Sequence, residues 1–227
     1  MRDWVAWHAA YDDPGSGLSA RLASVCRQLA AGIDRAPPGP VRLVSLCAGQ
    51  GRDVLSVLPG HPRRAEVTAV LVEAGAANAA AAREGAAVAG LTRVEVRQAD
   101  ASQPAAFAGA LPADVLLLCG IFGNISDADI ERTARAAPAL CRAGATVIWT
   151  RHRREPDLTP RIRAWFTAAG FDEAAFDPLP AGGSVGAGCL RGRLPAALPA
   201  GPPFTFRDSG EPAPGAGPAR PAGADPA

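Results

Sequence analysis

Apolar and polar positions along the chain change period repeatedly, and each change marks an element. Leu18, Leu22, Val25, Leu29 and Ile33 recur at helical spacing and form one apolar stripe, as a helix does when it packs on a sheet or on a neighbouring helix. Residues 1–35 read as helical with a break at Asp12-Asp13-Pro14-Gly15, and Ala36-Pro37-Pro38-Gly39-Pro40 closes them as a stiff linker. Arg42–Leu46 is then a short strand, and Val67–Val72 is a continuous apolar run rich in β-branched residues, as expected of a strand buried on both faces. A third strand over Leu91–Val96 alternates Val94 and Val96 with Glu95 and Arg97, so one side of it is less deeply covered. Ala113–Cys119 is the most apolar run and is expected at the centre of the sheet; Ala145–Thr150 makes a fifth strand.

Helical segments separate these strands. Asp53–Leu58 is short and is ended by Pro59-Gly60-His61-Pro62; Ala74–Ala89 is alanine-rich; a brief helix spans Gln103–Gly109. Ser126 followed by Asp129 reads as an N-cap, and the period that follows is disturbed at Pro138. Thr159-Pro160 starts a helix through Trp165 and Phe166 that stops at Gly170. Phe171–Phe176 and Ser184–Arg191 can pair as a closing antiparallel hairpin. The alternation predicts an α/β domain with a parallel sheet covered on both faces, whose ligand site lies at the carboxyl ends of the strands.

Composition narrows the chemistry. With 227 residues and 48% hydrophobic positions the chain supports one sizeable core, and a formal net charge of +1 gives no global reason to expect nucleic acid or an anionic membrane as partner. No apolar run is long enough to span a bilayer and the N-terminus lacks a signal peptide's apolar centre, so a cytoplasmic protein is expected. Five cysteines (Cys26, Cys47, Cys119, Cys141 and Cys189) are scattered and never form C-x-x-C, which argues against a disulfide framework or a zinc cage; no metal site is expected. All 23 basic residues are arginine, so chemistry that needs a lysine amine is excluded.

The strand tips carry the candidate site. Val44-Ser45-Leu46-Cys47-Ala48-Gly49-Gln50-Gly51-Arg52-Asp53 runs from strand through a glycine turn into a helix, a sequence that lets backbone N–H groups approach a ligand. Glu73 and Asp100 follow the next two strands, and Cys119-Gly120 leaves the fourth. The distance from Gly51 to Glu73 matches the about 20 residues that separate a glycine turn from a ribose-binding carboxylate.

These residues resemble the class I S-adenosylmethionine-dependent methyltransferases, over roughly residues 16–194. Ser45 to Asp53 looks like that family's first motif, with Ser45, Cys47, Ala48, Gly49, Gly51 and Asp53 at the methionine end of the cofactor S-adenosyl-L-methionine. The resemblance places Glu73 on the ribose, Asp100 and Ala101 on the adenine edge, and Cys119 and Gly120 along the methionine moiety. It implies a Rossmann-like, doubly wound, mostly parallel seven-stranded sheet with a C-terminal antiparallel hairpin. Two departures stand out: Ser45 where the family usually has Asp or Glu, and Cys47 where it usually has its first glycine.

A methyl acceptor would meet the fourth and fifth strand tips, where His152 is the candidate base and Asn124 can orient a substrate. Arg151, Arg153, Arg154, Arg161 and Arg163 form the densest basic patch, which is either a solvated surface or a reader of an anionic small substrate; it is too short and too poor in aromatics to argue for RNA. The acceptor and the oligomeric state are left open. Trp4, Trp7, His8 and Tyr11 make residues 1–15 a helix packed on the core or a lid over the site. Residues 195–227 turn to proline, glycine and alanine, with disorder expected past about Gly210 and only Phe204-Thr205-Phe206 positioned to touch the domain. Two other readings remain: a catalytically silent module of the same fold, and an NAD(P)-dependent oxidoreductase. The second is weakened because Val54 stands where the dinucleotide fingerprint needs a small residue, and because no Tyr-x-x-x-Lys dyad exists.

Overall fold

The computed structural model describes residues 10–180, 182–192 and 201–206. Helix α1 (Gly17–Arg35) starts at Ser16, whose hydroxyl accepts the Ser19 N–H at 3.0 Å, and its buried stripe is Val25, Leu29 and Ile33. Leu18 and Leu22, nearer its start, are only half-buried. Its C-terminal end is stapled from outside: the Arg63 guanidinium donates to the carbonyl of Ile33 (2.6 Å) in the last turn and to those of Ala36 (2.7 Å) and Pro37 (2.7 Å) just beyond it.

Strand β1 (Val41–Leu46), helix α2 (Arg52–Val57), strand β2 (Val67–Glu73) and helix α3 (Ala76–Val88) follow in turn. Strand β3 is Val94–Gln98 and therefore begins later than the apolar pattern suggests. The reason lies in the end of α3: Gly90, at φ +64°, lets its own N–H reach Ala87 O (3.0 Å) and the Leu91 N–H reach Ala86 O (2.9 Å). That paired closure uses Leu91 as a helix cap and leaves it unavailable to the sheet. After β4 (Ala113–Leu118) comes α4 (Asp127–Leu140), where Ser126 accepts the Asp129 N–H at 3.1 Å as its cap. Pro138 does not stop this helix but lies in its last turn, where the missing N–H removes one bond just before the chain turns into β5 (Cys141–His152). Helix α5 (Thr159–Ala168) and the antiparallel strands β6 (Phe171–Pro178) and β7 (Gly183–Leu190) complete the domain.

The seven strands lie in the order β3-β2-β1-β4-β5-β7-β6, parallel from β3 to β5 and antiparallel across β5–β7 and β7–β6. The expected seven-stranded sheet with its C-terminal hairpin is therefore present, and β4 is its middle strand. One face packs Leu43, Leu71, Leu117 and Ile148 under α1 and α2. The other packs Val44, Val72, Leu116, Leu118 and Trp149 under α4 and α5, with Phe107 and Phe204 filling the edges. Strand order reverses beside β1, opening a crevice between β1 and β4 at their carboxyl ends, the place where open α/β sheets take ligands.

The segment Phe204-Thr205-Phe206 does reach the domain. Phe204 is fully buried, Phe206 bridges Ile125, and Thr205 N donates to Asp129 Oδ2 at 3.2 Å. The expectations for Trp4, Trp7, His8 and the tail beyond Gly210 fall outside the described residues.

Candidate functional site

The glycine turn is built by conformations that ordinary side chains avoid. Cys47, Gly49 and Gly51 have φ of +58°, +57° and +68°, and Cys47 is the only non-glycine residue with positive φ among the described residues. Gly51 is required twice over, because a Cβ there would also fall 2.7 Å from Leu71 Cδ2. The turn is pinned by Ala48 N to Val72 O (3.0 Å) and Gly51 N to Ala48 O (2.9 Å).

Glu73 closes the turn from the neighbouring strand. Its Oε2 accepts the Gly49 N–H and its Oε1 accepts the Gly75 N–H, both at 2.8 Å. Each oxygen keeps a further lone pair, so the carboxylate is oriented by the backbone yet can still accept two hydroxyl protons. Asp100, exposed at the end of β3, is held by the Ser102 N–H on its Oδ1 (2.8 Å). Burial pushes the Cys47 thiol pKa up, and the charges of Glu73 and then Asp100 push it further. Ala101 and Ser45 are buried beneath this surface.

On the β4 side, Asp53 is buried in the first turn of α2, with Oδ1 accepting the Val54 N–H at 2.8 Å. Burial raises its pKa above the ordinary carboxylate value, against the smaller opposing influence of hydrogen bonds and of Arg21. Burial first and the Asp53 charge second raise the Cys119 thiol pKa, so Asp53 is near enough to the β4 exit to act on it electrostatically. That exit is tied to β5: Gly120 N donates to Thr150 Oγ1 (3.0 Å), Asn124 Nδ2 donates to Gly120 O (2.6 Å), and the Arg151 guanidinium donates to Phe122 O. A Cβ at Gly120 or Gly123 would meet nothing within 4 Å, so this loop borders open space.

His152, two residues beyond Thr150, shares its side of β5 by strand alternation. Its pKa is lowered by burial and then by Arg151 and Arg154, which keeps the imidazole neutral at neutral pH. Its Nδ1 is buried without a partner among the described residues. The basic patch is largely engaged within the protein: Arg153 pairs with Asp157, Arg163 with Glu173, and Arg161 lies over the Trp165 ring. A small pocket under α5, lined by Trp149, Phe166, Arg163 and Glu173, is away from the strand tips, and its two charged groups already satisfy each other.

Three contributors had no clear signal in the sequence. Thr150 looks like any strand residue, yet it receives the Gly120 N–H. Arg21 lies beside the apolar stripe of α1 and donates to the Tyr11 hydroxyl, while Tyr11 also has Arg52 over its ring at 5.4 Å. Asn78 is buried in the first turn of α3 with its Oδ1 unpartnered among the described residues.

No family model matches the sequence, and a search of curated proteins returned no match. Among solved structures, the chain is similar to an O-methyltransferase family protein from Burkholderia thailandensis, with a TM-score of 0.64 and 18% identity over 85% of this chain and 62% of that one. It is also similar to the 1,6-didemethyltoxoflavin-N1-methyltransferase of the same organism with 1,6-didemethyltoxoflavin and S-adenosylhomocysteine bound (0.60, 16%, 82% and 86%). A third is an RNA methyltransferase from Salinibacter ruber in complex with S-adenosyl-L-homocysteine (0.52, 20%, 78% and 95%). The chain spans only 57–62% of the length of the O-methyltransferase proteins it matches. Taken with the reversed seventh strand, the strand order about β1 and the glycine turn that Glu73 closes, these likenesses establish that the chain has the fold of the class I S-adenosylmethionine-dependent methyltransferases.

Proposed function

We propose that the crevice binds S-adenosyl-L-methionine and that the protein transfers its methyl group to a small-molecule acceptor. The observation that carries this reading is Glu73, fixed by Gly49 N and Gly75 N with lone pairs to spare for a ribose diol. The residues present fit the cofactor. Asp100 and the backbone around Ala101 border the adenine position, while the turn from Ser45 through Cys47, Ala48, Gly49 and Gly51 lines the methionine chain together with Cys119 and Gly120. Ser45 brings no charge where an ammonium group needs one, and buried Asp53 supplies it from the next element. A cation there would stabilise the ionised form that burial disfavours.

When bound, the cofactor supplies an electrophilic methyl group on a sulfonium. Positioning is then the main requirement, with a base needed only if the acceptor must lose a proton. Asn124 holds Gly120 O through its Nδ2 and keeps Oδ1 to orient an acceptor, and neutral His152 can take up a proton. A small acceptor is favoured over a nucleic acid because Arg151, Arg153 and Arg163 already spend their donors inside the protein. Ser45 favours a second reading, a module that binds the cofactor without turnover.

Calorimetry with S-adenosylmethionine and S-adenosylhomocysteine tests the first step, and absence of binding to either at millimolar concentration rejects it. Glu73→Ala is expected to weaken binding by about 1–3 kcal/mol, roughly fivefold to 150-fold. Unchanged affinity in a folded variant rejects the role given to Glu73. Release of S-adenosylhomocysteine across a panel of small acceptors separates the enzyme from the silent module.

A further inference from the structure

The methyl donor ends in an amino acid, so its pocket must meet a carboxylate as well as an ammonium group. Asp53 answers the second and repels the first. The sheet register and the contacts of Tyr11 show which cation lies at this end of the fold. Ser24 Oγ donates to Asp177 Oδ2 at 2.5 Å, and Asp177 pairs through Val185 with Thr150, whose Oγ1 receives the Gly120 N–H at 3.0 Å. Ser24 therefore lies level with the tips of β4 and β5. Arg21 is one helical turn earlier on the same face of α1, which puts it beyond the level of those tips. From there the Arg21 guanidinium donates to the Tyr11 hydroxyl and lies 5.7 Å from the centre of the Tyr11 ring. Tyr11 also meets Arg52, the residue directly after the glycine turn, at 5.4 Å. Arg52 is itself committed to Asp12 Oδ1 (2.6 Å) and Gln50 Oε1 (3.0 Å), a clasp that draws the Tyr11-Asp12 segment down over the turn.

We infer that Arg21 and Tyr11 form the subsite for the amino-acid carboxylate of the methyl donor, across the crevice from Asp53. A guanidinium fork matches the two carboxylate oxygens, and the phenol adds a neutral donor beside it. Burial, the largest influence on Tyr11, raises its pKa and keeps the hydroxyl protonated. Arg21 influences both Asp53 and Cys119 electrostatically, so it sits close enough to the methionine path to act there. The segment around Tyr11 thus reads the tail of the donor as well as covering it. This inference rests on the cofactor reading above.

Three ligands separate the two. S-adenosylhomocysteine carries the whole amino acid, its decarboxylated analogue keeps only the amine, and 5′-methylthioadenosine keeps neither. The full-length protein is expected to bind the first at least about tenfold more tightly than the second, the worth of one charged hydrogen-bonded pair. In Arg21→Gln that preference disappears: S-adenosylhomocysteine weakens about tenfold to a hundredfold, while the other two stay within about twofold. Tyr11→Phe shows the same selectivity with a smaller loss, about threefold to tenfold for a neutral donor. Equal affinity of the unaltered protein for S-adenosylhomocysteine and its decarboxylated analogue overturns the inference alone. So does an Arg21→Gln variant that keeps full S-adenosylhomocysteine affinity, or one that loses all three ligands alike. Failure of the unaltered protein to bind any of the three overturns the cofactor reading and this inference together.

Discussion

The two halves of the crevice are built by different means. On the β1–β2 side the crevice wall is backbone, with three positive-φ residues at alternate positions (Cys47, Gly49 and Gly51) and a glutamate held at both oxygens by N–H groups 2.8 Å away. On the β4–β5 side it is made of side chains. Thr150, Asn124 and Arg151 fasten the exit of β4, a buried histidine nitrogen is left without a described partner, and two glycines face open space. Backbone geometry is costly to change and suits a ligand that never varies. A surface of exchangeable side chains can be rebuilt for a new acceptor while the first half stays as it is.

The contrast can be broken from either side. Phe204→Ala removes a fully buried ring that packs edge-on against Phe206 beside Ile125. It should cost about 3 kcal/mol in chemical denaturation. Because this strap is bound to α4 and Ile125 rather than to the glycine turn, affinity for S-adenosylhomocysteine should stay within about twofold. A large loss of affinity would show that the two halves are one cooperative unit. Gly51→Ala attacks the other half, combining left-handed strain with a 2.7 Å approach to Leu71 Cδ2. A loss of about 2–3 kcal/mol in stability is expected, together with loss of cofactor binding, read by denaturation and calorimetry.

Asp53→Asn sharpens the comparison at the boundary between the halves. A carboxyl whose folded pKa lies above its unfolded value favours the folded state when protonated. Its contribution is therefore complete below the unfolded value and is lost as pH rises through the folded one. At neutral pH the wild-type carboxylate is thus a burden, and Asp53→Asn should raise the melting temperature. The gain should shrink toward zero as pH falls below about 4, the unfolded carboxylate range. The same variant should bind S-adenosylmethionine more weakly, so stability and binding move in opposite directions. The smallest effect belongs to Cys47→Gly. Relief of about 1–2 kcal/mol of left-handed strain, offset by about 0.5–1 kcal/mol of glycine's chain entropy, leaves a net stabilisation of about 0.5–1 kcal/mol measured by denaturation.

Legibility along the chain followed the same division. The glycine turn and Glu73 could be located from the sequence because their signals are local: a turn needs particular residues in immediate succession, and a strand end stops where the apolar run stops. Strand β3 starts later than the apolar run because Gly90 and Leu91 close α3, a use of N–H groups that the apolar pattern does not reveal. Pro138 disturbs the apolar period, yet near a helix end it removes only one bond. Arg21 could not be distinguished from 22 other arginines, since its placement depends on a contact between α1 and β6 that spans most of the chain.

What the sequence determined by itself was the alternation of elements, the nature of each buried face and the positions where the backbone must turn through positive φ, all properties fixed by near neighbours. What only the tertiary structure decided was which distant side chains share the crevice. Thr150 Oγ1 receives the Gly120 N–H, and Tyr11 meets both Arg21 and Arg52. Those meetings follow from strand order and helix tilt, which arise from packing over the whole sheet and leave no trace in any short stretch of residues.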